Sequence, residues 1–270
     1  MKQRLDILLV ELQLVSSRQQ AQRLIQAGEV MVNDQVVDKS GTEVNINAEI
    51  RIKQRSLYVS RGGEKLAKAL QLFSINVHNR ICLDAGISTG GFTDCLLQNG
   101  AKQVYGIDVG YGQVDWKLRN DPRVILHERT NFRYLTFENL YQNNLDIPNF
   151  AVADLSFISL TKILPNLWDL LSFPKEVILL VKPQFEVGKN NVGKKGVVRD
   201  TTLQAKAIAQ VLQSGLELGW KYQGLTWSPI TGPAGNIEYL LWLGMDSIEV
   251  TPDLSVIENM TKSASEYFKF

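Results

Sequence analysis

Cysteine and histidine are scarce: the 270 residues include two cysteines, Cys82 and Cys95, and two histidines, His78 and His127. Both cysteines sit inside apolar runs without C-x-x-C spacing, which argues against a disulfide framework or a metal site. They read as core residues. No apolar run approaches the roughly twenty residues that a membrane-spanning helix needs. Met1-Lys2-Gln3-Arg4 leads into an amphipathic helix pattern rather than a signal peptide, so a cytoplasmic protein without a membrane partner is expected. The formal net charge is only +1, which removes any global attraction to nucleic acid from the argument. Internal repeats and low-complexity segments are absent too.

What is present is an ordinary globular composition, 44% hydrophobic and 21% charged, in a chain long enough for two domains. The charge is unevenly spread. Between residues 51 and 68, Arg51, Lys53, Arg55, Arg61, Lys65 and Lys68 face Glu64 alone; between 182 and 199, Lys182, Lys189, Lys194, Lys195 and Arg199 face Glu186. A solvated loop face is the plain alternative for each cluster. Residues 188–195 nearly satisfy the P-loop spacing, but Lys195 stands where a magnesium-holding Ser or Thr belongs and no helix pattern follows. A mobile basic loop near the substrate is expected there.

Residues 1–54 form one module. Leu5, Leu8, Leu9 and Leu12 recur at helical spacing, and a second helix is expected to start at the cap residue Ser17, bury Ala21, Leu24 and Ile25, and stop at Gly28. Short strands follow at residues 30–32, 36–37 and 48–53. Residues 55–61 read as a basic linker. From 62 to 270 seven strand patterns alternate with helix patterns starting near Gly63, Gly91, Leu160, Thr201 and Leu254, which predicts an α/β fold with a mostly parallel sheet covered on both faces.

The most specific stretch lies at the end of the first of these strands: Asp84-Ala85-Gly86-Ile87-Ser88-Thr89-Gly90-Gly91-Phe92-Thr93-Asp94. It reads as a ligand-binding turn entering a helix, and Asp108 closes the next strand where such folds put a carboxylate on ribose hydroxyls. The glycines run G-x-x-x-G-G rather than G-x-G-x-x-G. That favours S-adenosyl-L-methionine, which has no pyrophosphate to cradle, over a dinucleotide. Four further residues flank strand ends on the same edge: Lys65, Asp154, Lys182 and Glu238. A lysine closing a strongly apolar strand must reach water or a carboxylate, and Asp154 and Glu238 are the available partners.

Two resemblances sharpen this reading. Arg4-Leu5-Asp6, Ser17-Arg18, Ala21, Ile25, Gly28-Glu29-Val30-Met31-Val32-Asn33 and Val36 resemble the αL RNA-binding module shared by a small-subunit ribosomal protein and many pseudouridine synthases. The resemblance implies that Arg18, Gln22 and Arg23 face RNA phosphates, with Arg4 and Arg61 as further RNA contacts. Over the whole chain, Ser60-Arg61-Gly62-Gly63-x-Lys65-Leu66, the glycine turn, Glu128-Arg129-Thr130-Asn131-x-Arg133, Asp154-Leu155-Ser156-Phe157 and Lys182-Pro183-Gln184-Phe185-Glu186 resemble the TlyA-type, hemolysin A-like proteins related to FtsJ 2′-O-methyltransferases. Their fold is the class I methyltransferase fold.

The resemblance implies S-adenosyl-L-methionine-dependent 2′-O-methylation of rRNA, at cytidine, with rRNA or ribosomal subunits rather than DNA as partner. Lys65, Asp154, Lys182 and Glu238 are then the catalytic set. Gly86, Ser88, Thr89, Gly90 and Gly91 approach the methionine end of the cofactor, Asp108 its ribose and Asn131 its adenine edge, although Thr130-Asn131 also suits a capping turn. Asp154-Leu155-Ser156-Phe157 lacks the Pro-Pro-aromatic signature of exocyclic-amine methyltransferases, and neither cysteine sits in a loop suited to a C5-cytosine nucleophile. A non-catalytic RNA-binding or ribosome-assembly factor is the competing reading. A membrane-active hemolysin finds no support in the leucine-rich first helix, which carries too few basic residues.

Overall fold

The computed structural model describes residues 2–52, 57–142 and 146–269. Lys53 and Arg55, and with Arg55 the start of the expected linker, lie outside the described residues. The chain divides into two compact units, Met1–Ser56 and Leu57–Phe270.

The first unit comprises β1 (Lys2–Arg4), α1 (Leu5–Glu11), α2 (Arg18–Gln26), β2 (Val30–Val32), β3 (Gln35–Val36), β4 (Glu43–Asn45) and β5 (Ile50–Ile52). Leu5, Leu8 and Leu9 of α1 and Ala21 and Ile25 of α2 pack on Val30, Val32 and Val44. The Ser17 hydroxyl accepts the Gln20 N–H at 3.2 Å and so caps α2, as the sequence predicts. β2 is the centre of a three-stranded antiparallel sheet, between β3 and β5. β1 pairs with β4. Neither of these two shows in the sequence, because three residues with one or no apolar side chain carry no alternation to read. Leu12, expected on the buried face, lies just beyond α1 and is 47% exposed.

The second unit runs α3 (Gly62–Leu72), β6 (Ile81–Ala85), α4 (Gly91–Gln98), β7 (Gln103–Ile107), α5 (Trp116–Arg119), β8 (Val124–His127), α6 (Phe137–Tyr141), β9 (Phe150–Ala153), α7 (Leu164–Leu170), β10 (Glu176–Val181), α8 (Pro183–Glu186), α9 (Thr201–Leu218), β11 (Lys221–Trp227), β12 (Tyr239–Gly244) and α10 (Leu254–Tyr267). The seven strands form one sheet in the order β11-β12-β10-β9-β6-β7-β8. β6 to β10 are parallel, and β12 is antiparallel to both β10 and β11. Side chains alternate between two cores: Leu83, Ala151 and Leu179 join one face, Cys82, Phe150 and Ile178 the other. Cys82 and Cys95 are both buried and free, and burial pushes each thiol up to about 12.

Residues 57–61, expected as linker, are part of this second unit. The Val59 N–H donates to Asp94 Oδ2 at 2.8 Å, and Gln98 Nε2 donates to the Leu57 carbonyl at 2.9 Å. Polar side chains of α4 thus hold the segment that leads into α3. The helix expected near Leu160 is a single 3-10 turn, Leu160–Lys162, followed by α7. Among the described residues no helix is long and apolar enough to cross a membrane.

Candidate active site

Open α/β sheets bind ligands beyond the carboxyl ends of their parallel strands, where the strand order reverses. Here the reversal lies at β6, between β7 and β9. β6 delivers Gly86, β7 Asp108, β9 Asp154 and β10 Lys182 to that edge. Glu238 opens its strand instead of closing it because β12 runs the other way.

The glycine turn is shaped by contacts within the protein. Gly86 has φ +90°, and a Cβ on it would lie 2.7 Å from the Asp154 carbonyl oxygen. A Cβ on Gly91 would lie 2.3 Å from Ser60 Oγ and 2.8 Å from the Gly63 nitrogen. The start of α4 and the start of α3 therefore meet backbone to backbone. Ser88 takes the left-handed conformation at φ +49°, and its N–H donates to Asp108 Oδ2 at 2.8 Å. Asp108 Oδ1 accepts the Gly110 N–H at 2.7 Å. One carboxylate thus fixes two turns, and its remaining lone pairs are open to a ligand.

Two cavities adjoin at this edge. The larger, about 390 Å³, is lined by Asp108, Gly110, Thr130, Phe132 and Leu155 among others. The second, about 210 Å³, is lined by Arg61, Lys65, Thr89, Gly91, Ile230 and Pro233 among others. Gly86, Ser88 and Asp154 belong to both walls. Gly90 belongs to neither: a Cβ on it would meet Leu118 Cδ1 at 2.2 Å, so packing claims it. Asn131 does not line the cavity either. Its Oδ1 accepts the Arg133 N–H at 3.1 Å, which makes it the cap of a 3-10 turn, and its neighbours Thr130 and Phe132 form the wall.

The four charged residues form two ion pairs. Lys65 Nζ lies 2.5 Å from Glu238 Oε2, and Lys182 Nζ lies 2.6 Å from Asp154 Oδ1. The second contact is ionic in geometry, since Oδ1 receives no well-angled hydrogen bond. Lys182 Nζ donates instead to Ser156 Oγ at 2.9 Å. Lys65, Lys182 and Glu238 are buried, and the Asp154 side chain keeps partial access to solvent. Each of these two buried ammonium groups has a carboxylate beside it, which offsets its desolvation. Ser156, without a role in the sequence reading, is the hydroxyl that orients Lys182.

Sequence reasoning also missed Asp84 and Glu186. Asp84 is fully buried at the end of β6, accepts Thr93 Oγ1 at 2.7 Å, and has its other oxygen unpaired. Burial pushes its carboxyl up to about 7, while the Thr93 bond pulls the other way. Glu186 ties α8, which follows Lys182, to the segment that follows Asp154: Oε1 accepts the Leu160 N–H at 2.9 Å and Oε2 the Ser159 hydroxyl at 2.6 Å. Burial raises its carboxyl as well. Phe157 is 91% exposed, has φ +65° and tilts against Phe185 at 5.2 Å between ring centres.

In the first unit the buried carboxylate of Asp6 organises the predicted RNA contacts. Its Oδ2 accepts Arg4 Nη2 at 3.0 Å, Arg18 Nε at 2.9 Å and Gln22 Nε2 at 2.9 Å. Gln22 therefore spends its amide donor inside the protein, while Arg4 and Arg18 stay 43% and 54% exposed. The Arg4 guanidinium holds the Asp6 carboxyl well below the usual carboxylate range. Arg23 is exposed and lines a groove with Gln19, Gln22 and Gln26. Arg61 is exposed at the start of α3, on the wall of the smaller cavity.

A glycine turn and two adjoining cavities at the reversal point, with Lys65 and Asp154 in their walls and the partners Glu238 and Lys182 behind them, define a class I methyltransferase domain, and here it follows a small α/β module. The chain belongs to the FtsJ-like methyltransferases, whose family pattern matches residues 58–245, and an S4 domain matches residues 3–50. It is 49% identical to the Mycobacterium tuberculosis protein TlyA, named a 16S/23S rRNA (cytidine-2′-O)-methyltransferase, over 89% of each chain. Hemolysin A of Brachyspira hyodysenteriae is 45% identical over 83% of this chain and 92% of its own. A solved structure from Streptococcus thermophilus, described as a candidate hemolysin, superposes with a TM-score of 0.76 at 41% identity, covering 99% of this chain and 97% of that one.

Proposed function

We propose that this chain transfers a methyl group from S-adenosyl-L-methionine to the ribose 2′-hydroxyl of cytidine in rRNA. The observation that carries the reading is the meeting of the two cavities at Gly86, Ser88 and Asp154, with Lys182 paired to that same Asp154. The relatives named for rRNA cytidine methylation support the substrate.

The larger cavity suits the cofactor. Asp108 offers lone pairs to ribose hydroxyls, Ile107, Phe132 and Leu155 offer apolar walls to an adenine, and the Gly86 to Ser88 backbone faces the methionine end. Thr130 takes the wall position first expected of Asn131. Thr89 and Gly91 belong to the acceptor side, and Gly90 only shapes the turn. When bound, the cofactor supplies a methyl group on a sulfonium sulfur.

The smaller cavity receives the acceptor ribose between Lys65, Asp154 and Arg61. A ribose hydroxyl is a weak acid, so methyl transfer to it needs a cation beside the developing alkoxide and a route for the proton. Lys182 serves at that point, held by Asp154 and Ser156. Lys65 and Glu238 complete the charge balance of the pocket, and the rest of the acceleration is positioning. The S4 domain docks structured RNA through phosphates, with Arg4 and Arg18 presented by Asp6 and Arg23 beside them.

The test uses the purified full chain, labelled S-adenosyl-L-methionine and rRNA from a strain lacking the enzyme. Label at a cytidine ribose, mapped by resistance of that linkage to alkaline cleavage, supports the reading. Label on a base overturns it. RNA binding without cofactor binding or transfer would make the chain an assembly factor.

A further inference from the structure

We propose that residues 188–199 form a second RNA-docking surface, on the methyltransferase unit, which takes phosphates of the strand that carries the target nucleotide. Asn236 is the positioning residue that holds this surface beside the catalytic set. The inference rests on the reading of RNA as substrate and goes beyond it in naming where the strand is held.

The segment carries Lys189, Lys194, Lys195 and Arg199, none with an ion-pair partner among the described residues. Lys194, Lys195 and Arg199 surround a surface depression of about 470 Å³. Asp200, the carboxylate in that wall, is committed elsewhere: its Oδ1 caps α9 by accepting the Thr202 and Leu203 N–H groups at 2.8 and 3.2 Å. Unpaired cations around a depression attract the phosphate backbone of a nucleic acid and release its counterions.

The end of the loop is also braced by buried hydrogen bonds. Asn236, 2% exposed, donates from Nδ2 to the Gly196 carbonyl at 2.8 Å and accepts the Val198 N–H on Oδ1 at 2.9 Å. Gln204 Nε2 donates to the Val198 carbonyl at 2.7 Å, and the Tyr239 hydroxyl donates to Gln204 Oε1 at 2.5 Å. Lys195 is held in the left-handed region at φ +70°.

The brace is tied to the site along the chain. Lys182 precedes α8, which runs into the loop, and Asn236 lies two residues before Glu238. On this proposal the phosphates held on the loop belong to the strand that presents the reacting ribose. A surface of this kind positions the strand without reading its sequence.

The test compares the wild-type full chain with the double variant Lys194→Gln, Lys195→Gln, using an rRNA transcript that the wild type methylates. The logarithmic salt slope of RNA binding should fall by about one for each lysine, and KM for RNA should rise, with cofactor affinity unchanged. Asn236→Ala keeps every cation, yet should also raise KM for RNA, and should add little to the double variant because both act through one surface. A change in kcat alone would mean that Asn236 serves Glu238 instead, which overturns the positioning claim. Should Asn236→Ala fail to fold, Gln204→Met removes the donor to the Val198 carbonyl while keeping Asn236 and every cation, and tests the same brace. Unchanged slope and KM in the lysine variant overturn the proposal and leave the methyltransferase reading standing; a wild type that transfers no methyl to rRNA overturns both.

Discussion

Lys182, one residue beyond the end of β10, lies with its ammonium 2.6 Å from Oδ1 of Asp154, one residue beyond the end of the parallel neighbour β9. Two adjacent strands thus deliver opposite charges to one point, and that point is where the two cavities join. The pair is the part of the site most exposed to a mechanistic test.

Lys182→Ala should abolish turnover while sparing cofactor binding and most RNA binding, because the contribution of Lys182 is made chiefly in the transition state. Lys182→Arg should be nearly as inactive, since a lysine ammonium can first give up a proton and then, as the neutral amine, take the one from the hydroxyl, whereas a guanidinium stays protonated throughout. Single-turnover methylation checks both. Substantial activity of the arginine variant would reduce Lys182 to a fixed positive charge.

Asp108→Ala should weaken cofactor binding by roughly 2 to 4 kcal/mol, the loss expected for two charge-assisted hydrogen bonds with incomplete additivity. The same change frees the N–H groups of Ser88 and Gly110, so the turn itself should loosen and hydrogen exchange at both amides should quicken. RNA affinity should be nearly unchanged. Normal cofactor affinity by calorimetry would refute the ribose assignment.

Asp84 makes stability depend on pH in a defined direction. Its folded-state carboxyl titrates near 7 against an ordinary value near 4, so folding favours the protonated acid. The stabilisation is complete below the ordinary value and is lost as pH rises through about 7, at most on the order of 4 kcal/mol. Asp84→Asn should remove this loss, so that the variant gains on the wild type between pH 5 and pH 8 in thermal melts. Parallel melting curves at the two pH values would refute the burial argument. His127, which burial shifts downward, contributes equally to both proteins and cancels in the comparison.

Asp6→Ala sets two effects in opposition. Removing a negative charge from an RNA-binding face should tighten binding through long-range electrostatics, whereas releasing Arg4, Arg18 and Gln22 should weaken it by loss of preorganisation. The buried geometry favours weakening, with a stability loss of about 1 to 3 kcal/mol, because the exposed guanidinium groups can return to water. Tighter RNA binding, measured by filter retention at several salt concentrations, would show that Asp6 does not present the arginines.

Much of this molecule is decided locally and can be read in the sequence. The parallel strands announce themselves as apolar runs because both of their faces are buried, and the glycine turn announces itself because a Cβ at Gly86 or Gly91 would collide with backbone. The flanking positions of Asp154, Lys182 and Glu238 follow from the strand ends, and that of Lys65 from the start of α3. Their pairing does not: Lys65 and Glu238 are 173 residues apart, and only the antiparallel insertion of β12 beside β10 puts an opening residue at the edge where the other strands close.

The same distinction separates the details. Asp6 reads as one charge in a helical pattern until packing buries it under the nearby Arg4 and, from another helix, Arg18 and Gln22. Asn131 and the 188–199 loop carry residue types that suit a ligand as well as a turn; a local hydrogen bond to the Arg133 N–H makes the first a cap, and long-range hydrogen bonds brace the second on Asn236. The sequence by itself determined the strands of the large sheet, most of its long helices, the edge on which chemistry can occur and the residues gathered there. Only the tertiary structure decided which of them pair, because desolvation makes each buried charge find whichever partner the completed sheet brings within reach.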